Sequence, residues 1–99
     1  MKLYLLTQHD NTSYDTYDSC IVAATDAGAA KLIQPGGTAF AKVLVGDFWY
    51  PTYARPEEYG QPYRWGDWAY GPAGVEAEYI GEAKEGTEAG VILASFNAG

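Results

Sequence analysis

The stretch from Phe48 to Tyr70 is the feature that most constrains how this chain can fold. It holds nine of the fifteen aromatic residues, and Pro51, Pro56 and Pro62 lie among them. The spacing of the rings matches neither the period of a strand nor that of a helix, and the prolines interrupt both kinds of ladder. We therefore expect a long loop whose rings are covered either by the rest of the domain or by a partner.

The length and charge of the chain restrict the classes of partner. A chain of 99 residues forms one domain, here residues 1–99. The chain has six basic and thirteen acidic residues, which gives a net charge of −7. Because nucleic acids and anionic membranes recruit basic surfaces, this balance disfavours both as direct partners.

The single cysteine and the N-terminal run indicate where such a protein works. Cys20 cannot form an intrachain disulfide, and its apolar neighbours predict a buried thiol. The apolar run at residues 3–6 is too short for the hydrophobic region of a signal peptide, and no stretch approaches the length of a membrane span. We expect a protein of the reducing cytoplasm.

Apolar runs and turn formers predict an α+β fold. The class expected is a small, mainly antiparallel sheet of four or five strands with one short helix and a long aromatic-rich loop. The clearest signal is the alternation at residues 75–80, where Glu76 and Glu78 face water. Thr25 or Asp26 caps the helix. Strands are predicted at 3–6, 20–24, 39–45, 75–80 and 91–96, the helix at 27–34, and a hairpin with a wide loop between the last two strands.

No constellation of residues predicts an enzyme. Asp15 and Asp18, with His9 nearby, hint at acid–base chemistry, but aspartates in such loops usually bond to local backbone amides. The residues after Asp10 lack the glycine and glutamate of a calcium loop, and Gly36 and Gly37 lack the context of a phosphate loop. We expect neither a metal nor a cofactor.

Aromatic rings with arginines between them are the strongest candidate for a binding site. Tryptophan and tyrosine faces stack on planar ligands, and arginine recognises phosphate or carboxylate. The same residue types would suit a satellite core, especially Trp49 and Trp68, or an interface of a homo-oligomer that uses part of residues 48–70. The candidate ligand-binding residues are Tyr14, Asp15, Tyr17, Asp18, Trp49, Tyr53, Arg55, Tyr63, Arg64 and Trp65.

Two stretches resemble a known group of proteins. Residues 11–19 read NTSYDTYDS and precede an apolar strand, and residues 90–99 read GVILASFNAG. Together with residues 79–83, they are similar to small uncharacterised proteins encoded by phages, prophages and gut bacteria. The resemblance covers both ends of the chain and about half its length. It implies a role in host manipulation or counter-defence and carries over no catalytic residues.

Two functions follow as hypotheses. In the first, the protein sequesters a small nucleotide-like host signalling molecule between the loop at residues 14–18 and the aromatic loop. The net charge opposes a phosphate-rich ligand unless Arg55, Arg64 and backbone amides dominate locally. In the alternative, the protein is an acidic inhibitor that binds and occludes a host defence protein through Glu76, Glu78, Glu82, Glu85 and Glu88.

Overall fold

Strands dominate the fold. The structure, a computed structural model, describes residues 1–12, 15–36 and 42–97. Its strands are β1 (Lys2–Gln8), β2 (Thr16–Ala24), β3 (Lys42–Val45), β4 (Phe48–Pro51), β5 (Val75–Glu82) and β6 (Gly90–Asn97), with one helix, α1 (Ala27–Lys31), and two 3-10 turns at Pro56–Glu58 and Pro72–Gly74. A mostly antiparallel protein with one short helix is what the sequence predicts.

Four strands form one antiparallel sheet in the order β5-β1-β2-β6. The expectation that residues 3–6, 20–24, 75–80 and 91–96 share a sheet is confirmed. The expected hairpin between the last two strands is wrong, because β5 pairs with β1 and β6 pairs with β2 on opposite sides. Residues 83–89 cross the end of the sheet, where the Ala83 amide donates to the Met1 carbonyl at 2.9 Å. Seven residues can reach about 23 Å, and three strand spacings need only about 14 Å.

One face of this sheet carries the core. Tyr4 and Leu6 of β1 face the same side as Cys20 and Val22 of β2, and all four are buried. Ala30 of α1 covers them together with three residues of the aromatic stretch, Trp49, Trp68 and Ala69. The opposite face carries Leu3, Leu5, Ile21 and Leu93, none of which is buried.

Helix α1 ends earlier than the predicted 27–34. Asp26 is the N-cap, and its carboxylate accepts a hydrogen bond from the Ala29 amide at 2.8 Å. At the other end, the Ile33 amide bonds to the Ala30 carbonyl, three residues back, so the last turn tightens. Pro35 disfavours helical geometry at Gln34 and has no backbone N–H to bond to the Lys31 carbonyl, so the helix does not extend to residue 34. No helix in the described ranges has the length and apolar character needed to cross a membrane.

The aromatic stretch begins with a strand, which the prolines had argued against. β4 pairs with β3, and Val45 faces Phe48 across a two-residue turn of Gly46 and Asp47. Gly46 has a φ of 62°, which the first position of such a turn requires. Pro51 is tolerated because it pairs only at the end of the ladder. The predicted strand at 39–45 is therefore β3, outside the main sheet, and residues 39–41 lie outside the described ranges.

Candidate ligand-binding site

A cavity of about 560 Å³ opens between the end of the main sheet and the aromatic stretch. This volume lies in the range of small-molecule sites. Its lining combines five aromatic rings with three charged side chains. The rings are Tyr17, Tyr53, Tyr63, Trp65 and Phe96, and the charged residues are Asp15, Lys42 and Asp67.

One wall of the cavity belongs to the main sheet. Tyr17 on β2 and Phe96 on β6 are cross-strand partners, and their ring centroids lie 4.8 Å apart with the planes tilted by 55°. The Tyr17 amide also donates to the Asp67 carbonyl at 2.8 Å. The two rings are therefore fixed against each other and against the aromatic stretch, as a ligand platform requires.

The other wall comes from the irregular part of the aromatic stretch. The hydroxyl groups of Tyr53 and Tyr63 lie 3.3 Å apart. This hydrogen bond, followed by partial burial and by the charges of Tyr53 and Glu58, raises the pKa of Tyr63 to about 12. Tyr53 is 78% exposed and Trp65 is 86% exposed. Two large rings of the lining thus lie mostly in solvent, where they are accessible to a ligand.

A buried tyrosine holds the turn that carries this second wall. Tyr50 is almost fully buried, and its hydroxyl donates to the Gln61 carbonyl at 2.6 Å. The same oxygen accepts a hydrogen bond from the Gly60 amide at 2.9 Å. Its ring packs on Tyr59 at 5.0 Å. One side chain of β4 therefore ties down a segment that has no strand ladder of its own.

Two buried amide side chains connect the loop after β1 to the floor of the cavity. The Gln8 side chain donates to the Asn11 carbonyl at 2.7 Å and accepts from the Asn11 amide at 2.9 Å. Asn11 then donates to the Gly66 carbonyl at 2.7 Å. Because buried amides with satisfied partners make a loop rigid, this network holds the backbone of Gly66 in place.

The charges of the cavity leave a small negative excess. Lys42 and Asp67 form a salt bridge of 2.7 Å, and both side chains are largely buried. Asp15 is exposed and has a φ of 60°, the only described residue other than glycine in the left-handed region. Its amide donates to the Asn97 carbonyl at 2.7 Å, which holds this conformation. The lining therefore contains two carboxylates and one cation, and the cation is already paired.

The structure brings together half of the candidate residues. Asp15, Tyr17, Tyr53, Tyr63 and Trp65 all line the cavity. Of the other five, Asp18 is exposed beside a bulge of β2, and Trp49 is in the core. Arg55 is exposed at the start of a 3-10 turn, Arg64 lies 5.8 Å from the ring centre of Tyr70, and Tyr14 lies outside the described residues.

Lys42, Asp67 and Phe96 are the residues that sequence reasoning missed. Lys42 is the only basic residue within the strand predicted at 39–45, and it lies 25 positions from its partner. The spacing of the two residues in the sequence does not predict this salt bridge. For Phe96, the sequence predicts only a place in the terminal strand at residues 91–96. Its place in the cavity depends on β6 lying beside β2, a pairing that the sequence did not predict.

Metal-ligand clusters and the single thiol are the remaining features with potential for chemistry. The described residues contain no group of three or more histidine, cysteine or acidic side chains able to hold a metal. Burial raises the pKa of the Cys20 thiol to about 11, so this group is a poor nucleophile. Protein-family models, curated proteins and solved structures all give no match to the chain.

Proposed function

We propose that this protein is a non-enzymatic binding protein that sequesters a small ligand in the aromatic cavity. The observation that carries the proposal is the pairing of a rigid ring platform, Tyr17 and Phe96, with the uncovered rings of Tyr53 and Trp65. Aromatic rings in both walls of a cavity suit a planar ligand, because stacking contributes about 1–3 kcal/mol per base. The best-fitting class is a nucleotide-like molecule whose base enters the cavity.

The charges refine the class of ligand. Arg55 and Arg64 are not among the lining residues, and Lys42 is neutralised by Asp67. A phosphate would therefore meet Asp15 and gain no free cation in the lining. We infer that the planar base provides the affinity and that any phosphate stays outside. Within the resemblance to phage-type proteins, such sequestration would serve counter-defence in the host cytoplasm.

Titration calorimetry with adenosine and with AMP tests this proposal. We expect adenosine to bind and AMP to bind no more tightly. Trp65→Ala should weaken binding by about 1–3 kcal/mol. The control is Leu32→Ala, which removes an exposed apolar side chain at the end of α1, outside the cavity lining.

Two results would overturn the proposal of ligand binding. Equal affinity of the wild type and Trp65→Ala, both folded by circular dichroism, would remove the rings from recognition. If adenosine does not bind, the ligand is sought by mass spectrometry of small molecules released from heat-denatured protein. Protein that carries no planar molecule after purification from its native cells would then end the proposal.

The acidic inhibitor remains a second candidate because of one observation. Glu76, Glu78, Glu82, Glu85 and Glu88 are all exposed, along β5 and the crossing at residues 83–89. A basic surface of a host protein could bind this series. Reversal of Glu85 and Glu88 to lysine would then abolish inhibition while Trp65→Ala leaves it intact. Ligand sequestration predicts the opposite pattern.

A further inference from the structure

The two edges of the main sheet differ sharply in how they are protected. β5 carries Glu76, Glu78 and Glu82, whereas β6 has no charged residue and no proline along its eight positions. Among the described residues, no strand pairs with the outer side of β6. Proteins usually guard an exposed edge with charge, proline or cover, since unpaired backbone groups recruit other strands. β5 is guarded in this way and β6 is not.

The side chains of β6 add apolar surface to its open backbone. Ile92 is 53% exposed and Leu93 is 65% exposed. On the uncovered face of the sheet, Leu93 pairs with Ile21, which pairs with Leu5. Glu78 is the next partner in that row, so charge ends the row at β5. The row of apolar side chains therefore ends without a charged neighbour only at β6.

We propose that β6 pairs antiparallel with β6 of a second copy of this chain, across a twofold axis. Each four-stranded sheet would become half of an eight-stranded one, and the apolar row would continue from one copy into the other. A twofold contact places the same strand against itself, which suits an uncharged strand. β5 does not suit it, because its glutamates would face glutamates.

The distribution of acid favours this partner despite the net charge of −7. β5 is three strand spacings from β6, about 14 Å, which exceeds the screening length of about 8 Å at physiological salt. The nearest acidic residues, Asp15, Asp18 and Glu88, lie toward the ends of β6. The middle of the strand therefore pairs without charge. Residual repulsion at the ends predicts that added salt strengthens the dimer.

Pairing at this edge also affects the cavity. Because a twofold contact keeps the same face of both sheets on one side, it centres on a residue such as Leu93, and Phe96 of one copy then lies near Gly90 of the other. Phe96 lines the cavity, so the second copy would run along its rim. The inference does not depend on which ligand the cavity holds, or on whether it holds one.

The matched variants Ile92→Lys and Ile80→Lys test the proposal. Both isoleucines lie at bulges of edge strands, Ile92 in β6 and Ile80 in β5, and their exposed fractions are similar, 53% and 45%. Sedimentation or light scattering over a range of concentrations should give a dimer for the wild type and for Ile80→Lys. Ile92→Lys, and Leu93→Lys as a second variant, should be monomers with unchanged circular dichroism. Amide hydrogen exchange in β6 should slow as concentration rises.

Several results would overturn this inference. A wild type that stays monomeric at all concentrations excludes the contact, and open-ended assembly excludes twofold closure. Loss of the dimer in Ile80→Lys alone would assign the contact to β5. A dimer that survives Ile92→Lys but not Trp65→Ala would assign it to the exposed rings of residues 48–70.

Discussion

Lys42 and Asp67 join the two halves of the aromatic cavity through a salt bridge of 2.7 Å. Lys42 begins β3, and Asp67 lies in the segment whose carbonyl bonds to Tyr17. The pair therefore ties the small hairpin to the segment bonded to the main sheet, and it cancels the one positive charge among the described lining residues. We therefore expect the pair to affect both the stability of the fold and the charge that the proposed ligand meets.

Asp67→Asn separates these two roles. The change keeps the shape of the side chain but leaves Lys42 with an uncompensated charge inside the cavity. We expect AMP to gain affinity relative to adenosine, because a free ammonium group attracts phosphate. The control is Lys42→Met, which should lower the free energy of unfolding by about 1–3 kcal/mol without favouring AMP. Equal binding of AMP and adenosine by Asp67→Asn would contradict this account of the charges.

Alkaline pH should destabilise the protein through Tyr63. Its pKa is raised to about 12, chiefly by the hydrogen bond to Tyr53. The folded state thus holds this proton more tightly than the unfolded chain, where the pKa is about 10. The resulting stability is present below pH 10 and is lost as the pH rises from 10 to 12.

Ultraviolet titration of tyrosinate, with melting curves in the same buffers, measures this effect. Tyr53→Phe removes the largest cause and should bring one tyrosine back toward ordinary titration. The dependence of its melting temperature on pH should then be shallower in this range. Identical titrations of the two proteins would show that the hydroxyl pair does not control Tyr63.

Cys20 should resist thiol reagents in the folded protein. The residue is 2% exposed, and burial raises its pKa to about 11. At pH 8 only about one thiol in a thousand is ionised, and the thiolate is the reactive form. We expect labelling at least about a hundredfold slower than in denaturant. Fast labelling of native protein would mean that β2 opens readily.

Gly71→Ala should destabilise the fold by about 1–3 kcal/mol. A methyl group at this position would collide with the backbone carbonyl of Asp47, which cannot rotate away as a side chain can. Gly28→Ala is the comparison, because its nearest neighbour is a side-chain oxygen of Asp26 at 3.3 Å and not a backbone atom. Denaturant unfolding should show a change of at most about 1 kcal/mol for Gly28→Ala. Similar losses in both would refute the steric argument.

The sequence predicted local structure well and neighbours poorly. The alternation at Glu76 and Glu78 identifies a strand and its solvent face because side chains alternate along any strand. That signal does not reveal which strand lies beside it, and so the hairpin with β6 was wrong. The residues of the cavity were predictable only where they did not depend on spatial neighbours. Rings such as Tyr53 and Trp65 stood out by composition, whereas Lys42 and Phe96 depend on pairings between distant parts of the chain.

The sequence also could not predict which rings of residues 48–70 are buried and which are exposed. Trp49, Tyr50 and Trp68 are buried, while Tyr53 and Trp65 are exposed, yet all five belong to one run of similar residues. Burial depends on which rings fall against α1 and the main sheet. Composition alone cannot decide this, because tryptophan and tyrosine serve cores and binding surfaces equally well.

The crossing at residues 83–89 has a consequence for synthesis of the protein on the ribosome. β1 and β2 emerge first and pair with each other, but their outer neighbours, β5 and β6, belong to the last quarter of the chain. Until that quarter emerges, the nascent pair has two open strand edges, and unpaired edges make incompletely folded chains prone to aggregate. Premature termination before Val75 would leave this state permanent. Rare codons or stalling late in the message should therefore lower the soluble yield more than the same delay placed early.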